Sequence, residues 1–170
     1  MSNPLPAFCS LKRSDFPLLQ RWLAEPHVDA WWHQKLDLDG LEDRYGRCID
    51  GKLPTYVFII LQDARPIGFI QWYRWRDYPD YAAPVDAGPD SAGIDLAIGE
   101  LDMIGLGIGS RVIREFVERI VFAERGMTSV IADPAVENIR SVRAFEKAGF
   151  TATNVIQRKG ENFERRVMRL

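Results

Sequence analysis

The chain has few of the residues that build metal sites and disulfide frameworks. It contains 2 cysteines and 2 histidines among 170 residues. Cys9 and Cys48 lie far apart and lack the spacing of metal ligands, and His27 and His33 are too few for a histidine-based site. We therefore expect no metal ion, and two reduced thiols in a cytoplasmic protein.

Long apolar runs and an excess of basic residues are also missing. The longest apolar run, residues 57–61, is too short to cross a bilayer. The first residues show no basic region followed by an apolar stretch, so we expect no signal peptide. A formal net charge of -2 argues against a nucleic-acid binder, because phosphate neutralisation needs a basic surface. We expect a cationic small-molecule amine as partner, no nucleic acid and no membrane; a monomer and a homodimer both stay open.

The remaining composition is that of one globular α/β domain over residues 1–170. Apolar residues make up 46% and charged residues 27% of the chain. Period-2 and apolar segments predict strands over 8–12, 55–62, 66–75, 92–98, 128–132, 150–156 and 163–170. Helical periods predict helices over 16–24, 27–33, 39–50, 110–124 and 138–148, and residues 76–92 read as a loop. This order predicts a central mixed sheet of about seven strands flanked by helices.

A glycine-rich turn follows the fourth predicted strand. Gly105, Gly107 and Gly109 alternate with apolar residues and lead into the amphipathic helix over 110–124. Glycines allow backbone N–H groups to approach a phosphate closely, and the helix N-terminus adds partial positive charge. The turn has neither the lysine of a nucleotide P-loop nor the spacing of a dinucleotide fingerprint. A tight turn without a ligand is the alternative interpretation.

About thirty residues later, the segment 138–150 reads NIRSVRAFEKAGF. Together with the glycine turn it resembles the two cofactor motifs of the GNAT N-acetyltransferase superfamily. The sequences Gly93-Ile94-Asp95, Trp31-Trp32 and Pro66-Ile67-Gly68 are similar to the aminoglycoside 6′-N-acetyltransferase branch. The resemblance implies a GNAT fold, acetyl-CoA as cofactor, and an enzyme of antibiotic resistance that acetylates an aminoglycoside at its 6′-amine. Alternatives are another amine, such as a hydroxylysine of siderophore synthesis, and a CoA-binding module without catalysis.

The resemblance also implies the cofactor-binding residues. Those around the pyrophosphate are Ile104, Gly105, Leu106, Gly107, Ile108, Gly109 and Ser110. Asn138 and Phe145 flank the pantetheine arm, although Asn138 equally suits a helix N-cap. The backbone of Leu96, Ala97 and Ile98 is expected to stabilise the oxyanion. Two positions depart from the family: Ile104 replaces an arginine or glutamine, and Phe145 replaces a tyrosine that often protonates the leaving sulfur.

Asp95 is the candidate catalytic base. It interrupts an otherwise apolar strand beside the cofactor turn, and an ammonium group must lose a proton before it can attack a thioester. Its position resembles that of the acidic base in the aminoglycoside 6′ enzymes. The alternative is a structural aspartate, and a buried carboxylate requires a hydrogen-bond donor or a cation in either case.

The candidate acceptor site combines carboxylates with aromatic rings. Seven acidic residues and no lysine or arginine occupy residues 77–102, a pattern that suits a polycationic sugar or else a solvated loop. By the resemblance, Trp31 and Trp32 cover the acceptor; adjacent helical positions cannot both face the core. The predicted substrate-binding residues are Trp31, Trp32, Trp72, Tyr81, Asp95, Glu100 and Asp133, the last by its counterpart in the family.

Overall fold

The protein folds around one mixed β-sheet in a computed structural model that describes residues 4–34 and 36–170. Over these residues the sheet has seven strands in the order β1-β2-β3-β4-β5-β7-β6. β4 pairs with β5 in parallel, whereas β1–β2, β5–β7 and β6–β7 are antiparallel pairs. The strands are β1 Ala7–Ser10, β2 Thr55–Gln62, β3 Arg65–Arg74, β4 Ser91–Ile98, β5 Ser129–Ala132, β6 Thr151–Gln157 and β7 Glu164–Arg169. The predicted fold class is confirmed.

The helices follow the predicted periods closely. They are α1 Phe16–Ala24, α2 Pro26–Trp32, α3 Leu38–Leu41, α4 Arg47–Ile49, α5 Pro79–Ala82, α6 Ile108–Phe116 and α7 Ile139–Lys147. The π-helical turns Glu42–Gly46 and Val117–Val121 connect α3 to α4 and extend α6. Within the described part of the chain, no helix is long and apolar enough to cross a membrane.

The chain forms two compact units, each assembled from two separate stretches. The N-terminal unit comprises Met1–Trp72 and Asp95–Leu106. Its apolar core joins α1 and the α3–α4 segment to β2, β3 and the end of β4. The core residues include Leu19, Trp22, Leu23, Leu41, Tyr45, Val57, Ile59, Phe69 and Ala97.

The C-terminal unit comprises Tyr73–Ile94 and Gly107–Leu170. One of its apolar clusters consists of Tyr73, Trp75, Val85, Ile131, Ile156 and Val167. Gly93 makes room for this cluster, because a side-chain carbon there would lie 2.7 Å from the Tyr73 hydroxyl. The cluster therefore packs an aromatic segment, residues 73–85, on β4, β5, β6 and β7 of the unit.

The segment 76–92, predicted as a loop, is largely helical, and that prediction is wrong. Two 3-10 turns, Trp75–Asp77 and Ala83–Val85, flank α5. Pro79 occupies the first turn of α5, where its fixed φ favours a helix and its missing N–H leaves no partner unsatisfied. Two of the prolines that suggested a loop, Pro79 and Pro84, therefore begin helical turns instead.

Candidate active site

Asp95 lies half-buried in β4 of the N-terminal unit. Its Oδ2 accepts a hydrogen bond of 2.9 Å from Nε2 of Gln71 in β3. Gln71 is itself buried, so the amide is held within the sheet. The expectation of a donor beside this carboxylate is confirmed. Because this donor is a neutral amide, the hydrogen bond orients the carboxylate without neutralising its charge.

A buried tyrosine lies near Asp95, and a histidine contacts the end of the same strand. Burial raises the pKa of Tyr45 to about 12, and the negative charge of Asp95 contributes to that rise. Tyr45 is therefore a neutral phenol near Asp95 throughout the physiological pH range. A ring nitrogen of His27, its Nε2, donates to the carbonyl of Ile98 over 2.9 Å, which ties α2 to the end of β4.

The backbone at the end of β4 approaches β3 closely. At Gly68 a side-chain carbon would lie 2.1 Å from the carbonyl oxygen of Ala97, so only glycine fits there. The N–H groups of Gly99 and Glu100 both donate to the carbonyl of Ile67, at 2.8 and 3.1 Å. Leu96, Ala97 and Ile98 thus belong to a tightly packed strand end, and their predicted oxyanion role stays a prediction.

Glu100 is held by a set of donors that sequence reasoning missed. Its carboxylate accepts from the guanidinium of Arg21, from Trp22 Nε1 at 2.8 Å and from Arg65 Nη2 at 3.1 Å. Arg65 also binds Asp102 at 2.7 Å. The hydrogen bond from Arg21, followed by that from Trp22, lowers the pKa of Glu100. Its predicted substrate role stays a prediction, but the carboxylate is already engaged inside the unit.

The three candidate tryptophans lie in different environments. Trp31 is 37% exposed, whereas Trp32 packs edge-on against Phe69 with ring centroids 4.7 Å apart. The prediction that only one of the pair faces the core is confirmed. Trp72 is 2% exposed and stacks on Tyr56 at 4.7 Å, so little of its ring is available to a ligand.

The glycine turn has the backbone that a phosphate cradle requires. Gly105 and Gly107 have φ of 83° and 74°, a region that other residues rarely adopt. A side-chain carbon at either would meet no atom within 4 Å, so conformation and not crowding requires glycine there. Gly107 precedes α6, and the hydroxyl of Ser110 donates to its carbonyl over 3.0 Å. The flanking Leu106 is 67% exposed.

The second motif lies on α7 of the C-terminal unit. Oδ1 of Asn138 accepts from the N–H of Ser141 over 3.2 Å, so Asn138 does act as a helix N-cap. Phe145 is 2% exposed and contacts Phe150 edge-on at 5.1 Å. A phenyl ring buried in this way supplies no proton to a leaving thiolate. A side-chain carbon at Gly109 would lie 3.6 Å from the Cβ of Ala144, so the beginning of α6 packs against the second half of α7.

Asp133, directly after β5, is 3% exposed and binds arginine. Nε and Nη2 of Arg158 donate to its Oδ2 at 2.9 and 2.7 Å. Nη1 of Arg158 donates to the carbonyl of Tyr81 over 2.6 Å, and the guanidinium lies 3.5 Å from the centre of the Tyr81 ring. Arg165 adds a second positive charge 3.9 Å from the same oxygen.

The aromatic segment beside this ion pair contains an unsatisfied donor. Trp75 is fully buried and stacks on Tyr81 at 5.5 Å. Among the described residues, its Nε1–H is the buried side-chain polar atom that lacks a hydrogen bond. Burying such a donor unpaired is unfavourable by about 1–3 kcal/mol. This part of the C-terminal unit is therefore not arranged for maximal stability.

Sequence reasoning missed Gln71, Arg21, Arg65 and Arg158. Gln71 carries a usable signal, since it is a polar residue inside an apolar strand, as Asp95 is. The three arginines carry none, because each binds a carboxylate distant along the chain. Within the described residues, no cluster of histidine, cysteine and acidic side chains has a metal-binding arrangement.

Comparison with known proteins identifies relatives over nearly the whole chain. The acetyltransferase (GNAT) domain family matches residues 12–158. An aminoglycoside N(6′)-acetyltransferase type 1 from Klebsiella pneumoniae is 27% identical over 139 residues, which are 80% of this chain and 69% of that relative. A structure of AAC(6′)-Ib in complex with paromomycin and acetyl-CoA superimposes with a TM-score of 0.88 at 23% identity, covering 98% of this chain and 93% of that one.

A second solved structure of similar fold belongs to an acetyltransferase with a different acceptor. Spermidine N-acetyltransferase from Vibrio cholerae, in complex with CoA and spermine, has a TM-score of 0.76 at 17% identity. It covers 97% of this chain and 94% of its own. At these identities the structural likeness establishes the fold.

Proposed function

Because the chain belongs to the GNAT acetyltransferase family, we propose that it transfers an acetyl group from acetyl-CoA to the 6′-amine of an aminoglycoside. The relative from Klebsiella pneumoniae and the AAC(6′)-Ib structure support this choice of acceptor. Residues 1–170 would act as one acetyltransferase domain, since the family match spans both compact units.

The observation that carries the proposal is the environment of Asp95. Asp95 is a half-buried carboxylate in an apolar strand, and the neutral amide of Gln71 orients one of its oxygens. Asp95 would hold the acceptor ammonium and take its proton, directly or through one water molecule. The neutral amine then has the lone pair that attack on a carbonyl carbon requires.

The glycine turn and α7 suit the donor. The positive-φ backbone of Gly105 and Gly107 and the exposed residues beside them fit a pyrophosphate at the beginning of α6. Ile104, Leu106, Ile108, Gly109 and Ser110 would complete this cradle, with Asn138 and Phe145 along the pantetheine arm. When bound, acetyl-CoA supplies the acetyl group as a thioester.

The remaining steps fall to backbone groups and solvent. Leu96, Ala97 and Ile98 would direct backbone dipoles at the negative charge that develops on the carbonyl oxygen. Phe145 has no proton to donate, so the thiolate would leave unassisted and take its proton from water. Because a thiol of ordinary pKa near 8.5 is an adequate leaving group, this departure slows the reaction without preventing it.

Acceptor binding would use the exposed aromatic surfaces. Trp31, which is 37% exposed, offers a ring face to a sugar or an ammonium group. Tyr81 is equally exposed but would contact a sugar with its ring edge, because its faces lie against Arg158 and Trp75. Trp32 and Trp72 would contribute to the acceptor site by packing beneath its exposed residues. Asp95 would provide the principal negative charge. Glu100 and Asp133 would contribute indirectly, by positioning the arginines that they bind.

A panel of acceptors tests the proposal. Release of free thiol from acetyl-CoA would be measured with a kanamycin, spermidine, N6-hydroxylysine and a short peptide. We expect fast turnover with the kanamycin and acetylation at the 6′-amine when the product is assigned by NMR. Turnover confined to spermidine, whose acetyltransferase shares this fold, would replace the acceptor and retain the reaction. Binding of acetyl-CoA without turnover of any acceptor would contradict the proposal.

Location and assembly complete the proposal. Cys9 and Cys48 are both free thiols, which persist in reducing compartments, and this supports a cytoplasmic enzyme. A monomer or a homodimer would be distinguished by sedimentation.

A further inference from the structure

His27 joins α2 to the end of β4 through a main-chain carbonyl. Its Nε2–H donates to the carbonyl oxygen of Ile98 over 2.9 Å, and the imidazole is partly buried. The next N–H along β4, that of Gly99, donates to the carbonyl of Ile67 in β3. Because the C=O and N–H of one trans peptide point in opposite directions, the Ile98 carbonyl faces away from β3. A side chain of α2 therefore supplies the donor that a further strand would otherwise give this carbonyl.

α2 covers the sheet face that carries Asp95. Its Val28 belongs to the same core cluster as Ala97 of β4, and its Trp32 contacts Phe69 of β3 edge-on at 4.7 Å. Side chains two residues apart on a strand lie on the same face, so Asp95 shares this face with Ala97. The proposed base and α2 therefore lie on the same side of the sheet within the N-terminal unit.

The position of α2 depends on its side-chain contacts, because the helix has only about two turns and such short helices are marginal in water. Val28 and Trp32, four residues apart, anchor one stripe of the helix in the core. His27 and Trp31 form the adjacent stripe with the same spacing. His27 is bonded to β4, whereas Trp31 is 37% exposed. The hydrogen bond of His27 therefore fixes where the stripe that bears Trp31 lies against β4.

We propose that His27 is a positioning residue, which fixes α2 on the end of β4 and thereby holds the exposed ring of Trp31 for an acceptor bound at Asp95. The proposal rests on the proposed acetylation of an aminoglycoside. A ring face held on the same side of the sheet as a carboxylate suits a cationic sugar, since an ammonium group pairs with the charge while the sugar stacks on the ring. His27 itself touches neither substrate nor cofactor and acts through the helix that it anchors.

The reach of the side chain tests the role of His27. His27→Gln places an amide N–H as far along the side chain as Nε2, whereas the amide of His27→Asn is too short. In His27→Asn we expect the KM for a kanamycin to rise about tenfold, because the bond to Ile98 is lost, while kcat and the KM for acetyl-CoA change less than about twofold. His27→Gln should recover most of the affinity. Ala30→Asn, a matched control on the exposed side of α2, should retain wild-type kinetics.

A double-mutant cycle separates positioning from a general weakening of the fold. Trp31→Ala should itself raise the KM for the kanamycin. If His27 acts by holding Trp31, adding His27→Asn to Trp31→Ala should raise this KM no further. Fully additive effects of the two changes, or a KM that Trp31→Ala leaves unaltered, would overturn the proposal. If His27→Asn does not fold, His27→Leu, which has a similar volume and no donor, takes its place.

Hydrogen exchange distinguishes this proposal from the proposed function, since the measurement needs no acceptor. The amides of Asp29 and His33 donate to the carbonyls of Glu25 and Asp29 within α2. In His27→Asn we expect these amides to exchange about tenfold faster than in the wild type, with those of α1 unchanged and His27→Gln close to the wild type.

Unaltered exchange in α2 of His27→Asn would overturn the proposal, even if the kanamycin is acetylated. A wild type that acetylates no kanamycin, combined with faster exchange in His27→Asn, would refute the proposed function and support the anchoring of α2 by His27.

Discussion

Asp95 and Asp133 are both strand-associated aspartates that the sequence predicts to meet the acceptor, yet their partners differ. Asp95 is half-buried and accepts from the neutral amide of Gln71. Asp133 is buried and accepts two hydrogen bonds from Arg158, with Arg165 close by. Gln71 orients the Asp95 carboxylate with a neutral donor, whereas Arg158 pairs the Asp133 carboxylate with a positive charge. Residue type and strand position therefore do not determine whether a carboxylate meets a neutral or a cationic donor in the fold.

Replacing Asp95, the proposed base, should have the largest effect. In Asp95→Asn we expect kcat to fall by about 10²–10⁴, because the ammonium loses its proton acceptor. Thiol release with a kanamycin measures this change. Glu118→Gln removes an exposed charge that has no described partner and should retain wild-type turnover. A decrease of less than tenfold in Asp95→Asn would contradict the role of base.

Replacing Asp133, the carboxylate paired with Arg158, should reduce the stability of the fold more than the rate of the reaction. Asp133→Ala leaves the guanidinium of Arg158 buried without its counter-charge. We therefore expect the free energy of unfolding, measured in urea, to fall by about 3–5 kcal/mol. Asp133→Ala/Arg158→Ala should be less destabilised than the sum of the two single variants. Strict additivity of the two single changes would show that the ion pair is not coupled in solution.

The hydrogen bond from Gln71 to Asp95 can be tested separately from Asp95 itself. In Gln71→Leu the Asp95 carboxylate loses the donor that orients it, so we expect kcat to fall about tenfold while the KM for acetyl-CoA stays constant. Steady-state kinetics with varied acetyl-CoA separate the two parameters. Gln71→Asn, with a shorter amide, should recover part of the activity only if orientation is the cause.

Glu100, like Asp133, is paired with arginine, and its replacement should have the smallest effect on stability. Its folded-state pKa is lowered by Arg21 and Trp22, so the pairing stabilises the fold above the unfolded pKa of about 4.3 and is lost as pH falls through the folded value. Glu100→Gln should lower the free energy of unfolding by about 1 kcal/mol at pH 7, since Arg21 is partly exposed. The difference from wild type should shrink as the pH falls below about 4.3 in urea titrations, because Glu100 then becomes protonated in the unfolded and next in the folded protein. An undiminished difference in acid would assign the effect to another cause.

The sequence predicts local structure far better than it predicts partners. α1 Phe16–Ala24 and β2 Thr55–Gln62 have the predicted bounds, because each expresses an apolar period within one segment. The error over 76–92 arose because proline was read as a breaker, although it also begins helices.

Site partners lie beyond the reach of local patterns. Arg158 is 25 residues from Asp133, and Arg21 is 79 residues from Glu100. Only the folded sheet brings such pairs together, so no period or spacing reveals them. Asp95 was recognisable because a carboxylate in an apolar strand is conspicuous by itself. The need for a donor followed from the physics of burial, while the choice of Gln71 required the structure.

The most direct test of the central claim compares kcat for Asp95→Asn and Asp133→Asn with one kanamycin and saturating acetyl-CoA. A carboxylate that acts as the base and a carboxylate paired with arginine should respond differently to the same substitution. We predict a loss of at least about a hundredfold for Asp95→Asn and less than about tenfold for Asp133→Asn. Equal losses in the two variants, or a larger loss in Asp133→Asn, would contradict the account.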